Sequence, residues 1–361
     1  WRRLGRVRQH HAISSIADFV AARYGKSGPL ASLVTILAVI AIIPYLALQL
    51  RAIALSASVM LEQNAGVMST TTNGVLALTG VLAILAMMFG TRQIANTEQH
   101  GGLMLAVAFE SFVKLFALIC VALFFLFDSP ENIVQVSKDV TKTFHEVQLF
   151  GVPDTFWVQT LLAGLAIICL PRQFHVAVVE LRDEKHIRGA RRWFAAYLIL
   201  TVFAIIPIAS WALHAAPEYL AIPDVAVLSL PLSYNQDWLT LLAFLGGFSA
   251  STGMLLVSSV ALSIMLSNDL IMPALWRLNL LSRHDKRLPQ VLKFVRRICI
   301  LAVMLLGFLF FHFFNDIDQL SVFGLLAFSA VAQFAPALIG GLYWRGGSKQ
   351  GVYAGLLAGF G

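Results

Sequence analysis

The chain has 361 residues, 58% of them hydrophobic and only 12% charged, with a mean hydropathy of +0.79. Ordinary soluble domains carry about a quarter charged residues, so this composition excludes one and points to a chain embedded in lipid. The net charge of +7 raises the question of nucleic acid, but the basic residues sit in short loops between apolar runs. Anionic lipid is their natural counterpart there, and no nucleic-acid partner is expected.

Crossing a bilayer as a helix takes about 20 apolar residues. In chain order the apolar spans are 30–61, 72–90, 101–127, 155–180, 193–213, 237–267, 291–313 and 318–343, with 349–361 as the start of a ninth. The loops between them alternate in basic content. Segments 1–29, 181–192, 268–290 and 345–349 are rich in Lys and Arg, and 91–100 adds Arg92; segments 62–71, 128–154, 214–236 and 314–317 are poor. Lys and Arg accumulate in cytoplasmic loops, so an all-α polytopic membrane protein is predicted with residue 1 on the cytoplasmic side. The long loop 128–154 is acidic, and 131–147 within it has the pattern of a short surface helix. Residues 1–29 do not have the layout of a signal peptide. The chain starts in a loop and stops inside an apolar run, as expected of a piece of a longer protein. Cys120, Cys169 and Cys299 all lie in apolar spans without metal-ligand spacing, so packing is their default role and no metal centre of cysteines is expected.

Several spans carry interruptions: Pro44 in the first, Pro171 in the fourth, Pro207 in the fifth, and Gly246-Gly247-Phe248-Ser249-Ala250-Ser251-Thr252-Gly253 in the sixth. Small residues allow helices to pack closely. Broken helices, in contrast, free carbonyls and helix ends to bind ions and solutes near the midplane. Several interrupted spans in one chain fit a secondary transporter better than a plain bundle.

Ionisable groups within spans point by default to function. Glu110 and Lys114 are spaced i, i+4 with the acid N-terminal, the favourable order for a helical ion pair. They read either as a self-neutralising pair or as a titratable carboxylate on a proton path. Arg51 either snorkels to the interface or holds a substrate carboxylate. Tyr45 and Gln49 share a helical face just after Pro44, which suits a polar solute or an interhelical bond. Pro171-Arg172-Gln173-Phe174-His175, followed by Glu180, offers donors for an anionic or zwitterionic ligand at a proline break; His175 could equally cap local carbonyls. No P-loop, His-Glu-x-x-His or nucleophile elbow occurs, so the chain itself contains no catalytic motif.

Longer motifs carry a resemblance. Ile13–Gly25, with its Arg23-Tyr24-Gly25 ending, and Gly341-Leu342-Tyr343-Trp344-Arg345, followed by Gly351, Gly355 and Gly359, resemble conserved elements of the sodium/solute symporter family. Thr97-Glu98 stands where that family has Thr-Asp, and Ser249–Leu255 where it has Ser-Thr-x-x-Ser-x-Leu. Pro44-Tyr45-x3-Gln49-Leu50 and Leu170–His175 are similar to the transporter half of CbrA-type sensor histidine kinases, in which a symporter-like domain is joined to a cytoplasmic kinase.

The resemblance implies a LeuT-type inverted-repeat fold in the cytoplasmic (inner) membrane, lacking its first two core helices in this chain. Residues 1–361 would form one symporter-like transmembrane domain. The implied substrate residues are Tyr45, Gln49, Pro171, Arg172, Phe174 and His175. The implied ion-coupling residues are Glu98, Ser249 and Thr252, with Glu110 as a further candidate, and Na+ would sit at Glu98 and Ser249. Ala250 stands where the family has a sodium-binding Thr, which removes one oxygen ligand and brings H+ forward as the coupling ion. After Val257 the chain carries about one extra helical turn before Asn268-Asp269 relative to that pattern. The expected function is symport of a small amino acid-like solute, histidine first, by alternating access. The alternative is a ligand-sensing input domain for a fused kinase.

Overall fold

The computed structural model describes all residues except 12, 63–71, 92–100, 129, 152–153, 216–222, 283–285 and 315–319. Among the described residues every element is helical. Two short helices, α1 (Arg2–His11) and α2 (Ile16–Arg23), precede α3 (Gly28–Glu62), α4 (Thr72–Gly90), α5 (Gly101–Asp128) and α6 (Pro130–Phe150). The next crossing is α7 (Asp154–Cys169) and α8 (Pro171–Phe174), prolonged by a π-helical turn over His175–Val179. Then come α9 (Lys185–Ala215), α10 (Ala226–Ser233) and α11 (Asp237–Met265), which runs through a second π-helical turn, Leu266–Ile271, into α12 (Met272–Arg277). The chain continues with α13 (Leu288–Phe313), α14 (Leu320–Ala332), α15 (Ala335–Tyr343) and α16 (Lys349–Phe360).

Among the described residues, seven helices are long and apolar enough to cross a membrane, and the bent pair α7–α8 brings the total to as many as eight. The protein is a multi-pass membrane protein. The expected surface helix in the acidic loop is α6, longer than the sequence pattern suggested.

Of the expected interruptions, only the one at Pro171 breaks a span. Leu170 takes an extended conformation (φ −61°, ψ 124°) between α7 and α8, and the axis turns by 49°. Proline lacks an N–H and its ring displaces the preceding turn. Pro44 and Pro207, however, lie inside continuous helices, where tight surroundings absorb one missing bond. The small-residue run of the sixth span is continuous helix within α11. Gly246 explains why: a Cβ there would stand 2.7 Å from the Ala117 methyl of α5, so the run serves close packing. The π-helical turn Leu266–Ile271 carries Asn268 and Asp269.

The helices differ in what surrounds them. α3 is the most enclosed, with 72% of its apolar window buried, against 22% for α5 and for α9. On α5, Leu105, Phe109, Phe112 and Phe116 point outward to lipid, while Leu103, Ala117 and Val121 on the opposite face are buried. Glu110 and Lys114 share that inner face, two and three turns beyond Leu103.

Three apolar clusters result. The largest joins α2, α3, α4, α7, α8 and α13–α15 around Leu46, Phe174, Phe323 and Phe334. A second centres on Phe125, Ile208, Leu230 and Leu239. A third, smaller one holds Leu103, Val257, Val260 and Ile264.

The basic loops gather at one face. Arg6 Nε donates to Glu184 Oε1 at 3.0 Å, and Arg8 donates to the Leu181 carbonyl at 2.9 Å. Arg23 donates to the carbonyls of Gly341 (2.7 Å) and Trp344 (2.9 Å), and Tyr24 to that of Ala337 (3.0 Å). Ser15 fixes the start of α2 by accepting from the Asp18 N–H, while Asp18 accepts from the Ser14 N–H, a reciprocal arrangement close to a capping box. At the opposite face the Leu320 N–H donates to Asp224.

Candidate functional site

The site forms where the inner face of α5 meets the α7–α8 break. Val107, Glu110, Ser111 and Lys114 of α5 recur at helical spacing along one wall of a cavity of about 400 Å³. Arg172 and Gln173 come from α8, Phe194 and Tyr197 from α9, and Gly253, Met254 and Val257 from α11. Such a size lies in the range of small-molecule sites, about 300–1,000 Å³.

Tyr45 closes the site from α3. It is 6% exposed, and its hydroxyl donates to the Met254 sulfur at 2.9 Å. The guanidinium carbon of Arg172 lies 5.2 Å from the Tyr45 ring centroid, within cation–π range. Glu110, Lys114 and Arg172 all line the cavity. The cavity wall therefore carries two cations and one carboxylate, away from bulk water, where charge interactions are strong. Such a constellation can take a ligand that bears both a carboxylate and an ammonium group.

Gln49 is buried one turn beyond Tyr45 on α3. Phe174 and His175 follow Arg172 closely in sequence but are directed elsewhere. Phe174 is fully buried and packs on Phe19 of α2, with ring centroids 6.4 Å apart. His175 Nε2 lies 3.4 Å from Glu180 Oε1, both side chains buried. Helical residues two apart diverge by about 200°, so Arg172 and Phe174 cannot serve one cavity. Pro171 is buried at the break and acts through the backbone. Arg51 is buried too, its guanidinium carbon 5.8 Å from the Phe323 ring centroid.

Of the implied ion-coupling residues that are described, Glu110 lines that cavity, and Ser249 and Thr252 do not. Ser249 and Thr252 lie on α11 beside buried Ala250, and the buried Thr252 hydroxyl has no hydrogen-bond partner. Glu98 lies outside the described residues. Among those that are described, no group of His, Cys, Asp and Glu side chains has the arrangement of a metal site.

A second cavity, of about 240 Å³, opens towards the face opposite α1 and α2. Ser56, Asp224, Gly246, Gly247, Ser251 and Leu320 are among its lining residues. Lys114 lines both cavities. Between them α5 and α11 pack at Gly246 and Gly253.

The chain matches no family model, no curated protein and no solved structure.

Sequence reasoning did not single out Tyr197, Ser111 or Met254. A phenol in an apolar span was a visible signal for Tyr197, and Ser111 adjoins Glu110. Nothing in the sequence distinguishes Met254 from the apolar residues around it.

Proposed function

We propose that this domain binds a small zwitterionic solute of amino-acid type and moves it across the cytoplasmic (inner) membrane by alternating access, with residue 1 on the cytoplasmic side. The observation that carries the proposal is the gathering of Glu110, Arg172 and Lys114 around one cavity between helices, with Tyr45 behind them against Arg172 and Met254. Arg172 and Lys114 take the solute carboxylate, the guanidinium by a paired hydrogen bond, and Glu110 takes the ammonium group. Tyr45 and Gln173 orient the remainder. The second cavity supports passage to the other face, because Lys114 lines both cavities and the α5–α11 contact at Gly246 and Gly253 is what parts them. A LeuT-type fold and membership of the sodium/solute symporters belong to this reading through the motif resemblance, as does histidine as the first solute to try. Coupling is to H+ or Na+. Ala250 in place of an oxygen ligand favours H+, with Glu98 as the coupling carboxylate.

The test is uptake of radiolabelled histidine by the full-length protein in proteoliposomes, with sodium and proton gradients imposed separately. Uptake driven by the proton gradient alone is expected. Uptake driven only by sodium would overturn the choice of ion, and absence of both uptake and binding would overturn the site.

A second reading, an input domain that reports ligand occupancy to a fused kinase, is favoured by one contact. Phe174, two residues beyond Arg172, rests on Phe19 of the short, largely buried helix α2. Retained histidine binding without uptake under either gradient would select it.

A further inference from the structure

Helix α9 opens with Lys185-His186-Ile187-Arg188-Gly189-Ala190-Arg191-Arg192 before its apolar run starts at Trp193. Arg2 and Arg6 of α1 lie against this first turn. With Glu184, Lys185 and Arg188 they line a cup of about 260 Å³. Four cations thus face a single carboxylate, and Arg6 already occupies it, with Nε to Glu184 at 3.0 and 3.3 Å. The cup has a strong positive excess and a size suited to a phosphate group.

Its position identifies the source of that phosphate. Arg188, Arg192, Ile199 and Phe203 recur at helical spacing and share one face of α9. Ile199 is 55% and Phe203 67% exposed, so the face runs from a basic end directly onto an apolar, lipid-facing track. Trp193, 78% exposed, stands between the two regions, the usual level of an interfacial indole. A rise of about 12 Å separates Lys185 from Trp193, which puts the cup at headgroup depth. A free anion would make no use of the track; a phospholipid fills both parts.

We propose that the cup formed by Arg2, Arg6, Lys185 and Arg188 binds the headgroup phosphate of an anionic phospholipid, with its acyl chains along Ile199 and Phe203. Guanidinium groups suit phosphate oxygens bidentately, and the lipid would tie α1 to the start of α9.

The experiment is native mass spectrometry of the detergent-purified protein titrated with dioleoyl phosphatidylglycerol, dioleoyl phosphatidylcholine or inorganic phosphate. Phosphatidylglycerol is expected to bind roughly tenfold tighter than phosphatidylcholine, and Lys185→Gln or Arg188→Gln to weaken it by roughly fivefold each. Arg345→Gln, an exposed basic residue elsewhere on the same face, should leave it unchanged. Thermal unfolding without added lipid checks that each variant is folded; if one is not, the other single variant carries the test. Equal affinity for the two lipids, or an undiminished preference in the folded variants, would overturn the proposal. Displacement of the lipid by millimolar inorganic phosphate would show a free-anion site and overturn it equally.

Discussion

The carboxylate of Glu110 lies against the backbone of Gly253, in the space a side chain on that residue would need. Gly253 holds α11 near enough for the acid to turn along the helix surface towards Arg172. Gly253→Ala should therefore displace Glu110, an overpacking cost of about 1–3 kcal/mol, and weaken histidine binding by roughly tenfold or more. Gly247, where a Cβ meets nothing within 4 Å, is the control. Scintillation proximity binding of radiolabelled histidine checks both, and equal affinity of G253A and G247A would remove the argument.

Charge reversal of roles separates the site residues. Losing a hydrogen bond to a charged group costs about 1.5–3 kcal/mol, so Arg172→Ala should weaken binding by roughly 10–100-fold, with Arg172→Lys intermediate. Tyr45→Phe removes the O–H that donates to Met254 and the oxygen that Arg172 meets, and should cost less than Arg172→Ala, roughly tenfold or less. If Tyr45→Phe proves worse than Arg172→Ala, the phenol, not the guanidinium, holds the solute.

Glu110 and Glu98 differ in their assigned work. Glu110→Gln should impair solute binding whatever gradient is applied, by roughly tenfold or more. Glu98→Gln should leave equilibrium binding within about threefold and abolish gradient-driven uptake, as should loss of a coupling carboxylate in general. Ser249→Ala should alter the ion dependence alone. Uptake and binding measured in parallel on the three variants decide the matter; intact driven uptake in Glu98→Gln would transfer the coupling role elsewhere.

Arg23 ties α2 to the end of α15 through the carbonyls of Gly341 and Trp344. Those carbonyls belong to the last turn of a helix, where cations are favoured. Arg23→Ala should lower stability by about 1.5–3 kcal/mol, read as an earlier midpoint in thermal unfolding in detergent. Arg23→Lys should recover part of it. An unchanged midpoint would mean that α2 is held by its apolar contacts alone.

Orientation is open to direct chemistry. Ser348→Cys and Gln135→Cys lie at opposite faces; the native Cys169 and Cys299 are buried and Cys120 is half-buried, so the protein without either substitution sets the labelling background. A membrane-impermeant maleimide applied to intact cells should label position 135 and spare position 348, because basic loops face the cytoplasm. The reverse pattern would invert the assignment.

How much of this was legible in the sequence depended on the kind of signal. Spans are read from length and hydropathy, which lipid imposes residue by residue, so α3, α4, α5 and α13 fall where the apolar runs do. Helix breaks are tertiary decisions. Pro44, Pro171 and Pro207 look alike in sequence, yet only Pro171 bends its span, since the others sit where the helix continues past one missing bond. Glu110, Lys114 and Arg172 were recognisable because charge within a span is costly. That Arg172 turns to the cavity while Phe174 and His175 turn away is a matter of helical phase, which no motif records. The roles of Ser249 and Thr252 came from resemblance, and among the described residues the buried Thr252 hydroxyl has no hydrogen-bond partner.

The three apolar clusters meet at the candidate site: Tyr45 belongs to the largest, Val257 to the smallest, and Lys114 precedes Leu118 at the border of the other. Interiors are close-packed and resist deformation, and α11 runs through all three clusters, giving Leu239, Leu255 and Val257 to different ones. The polar residues thus sit at a junction. Substitutions deep within a cluster should be paid for in folding, whereas those at the junction should act first on solute binding. In the proposed reading, a solute bridging Arg172 and Glu110 would serve as a removable dowel across that junction.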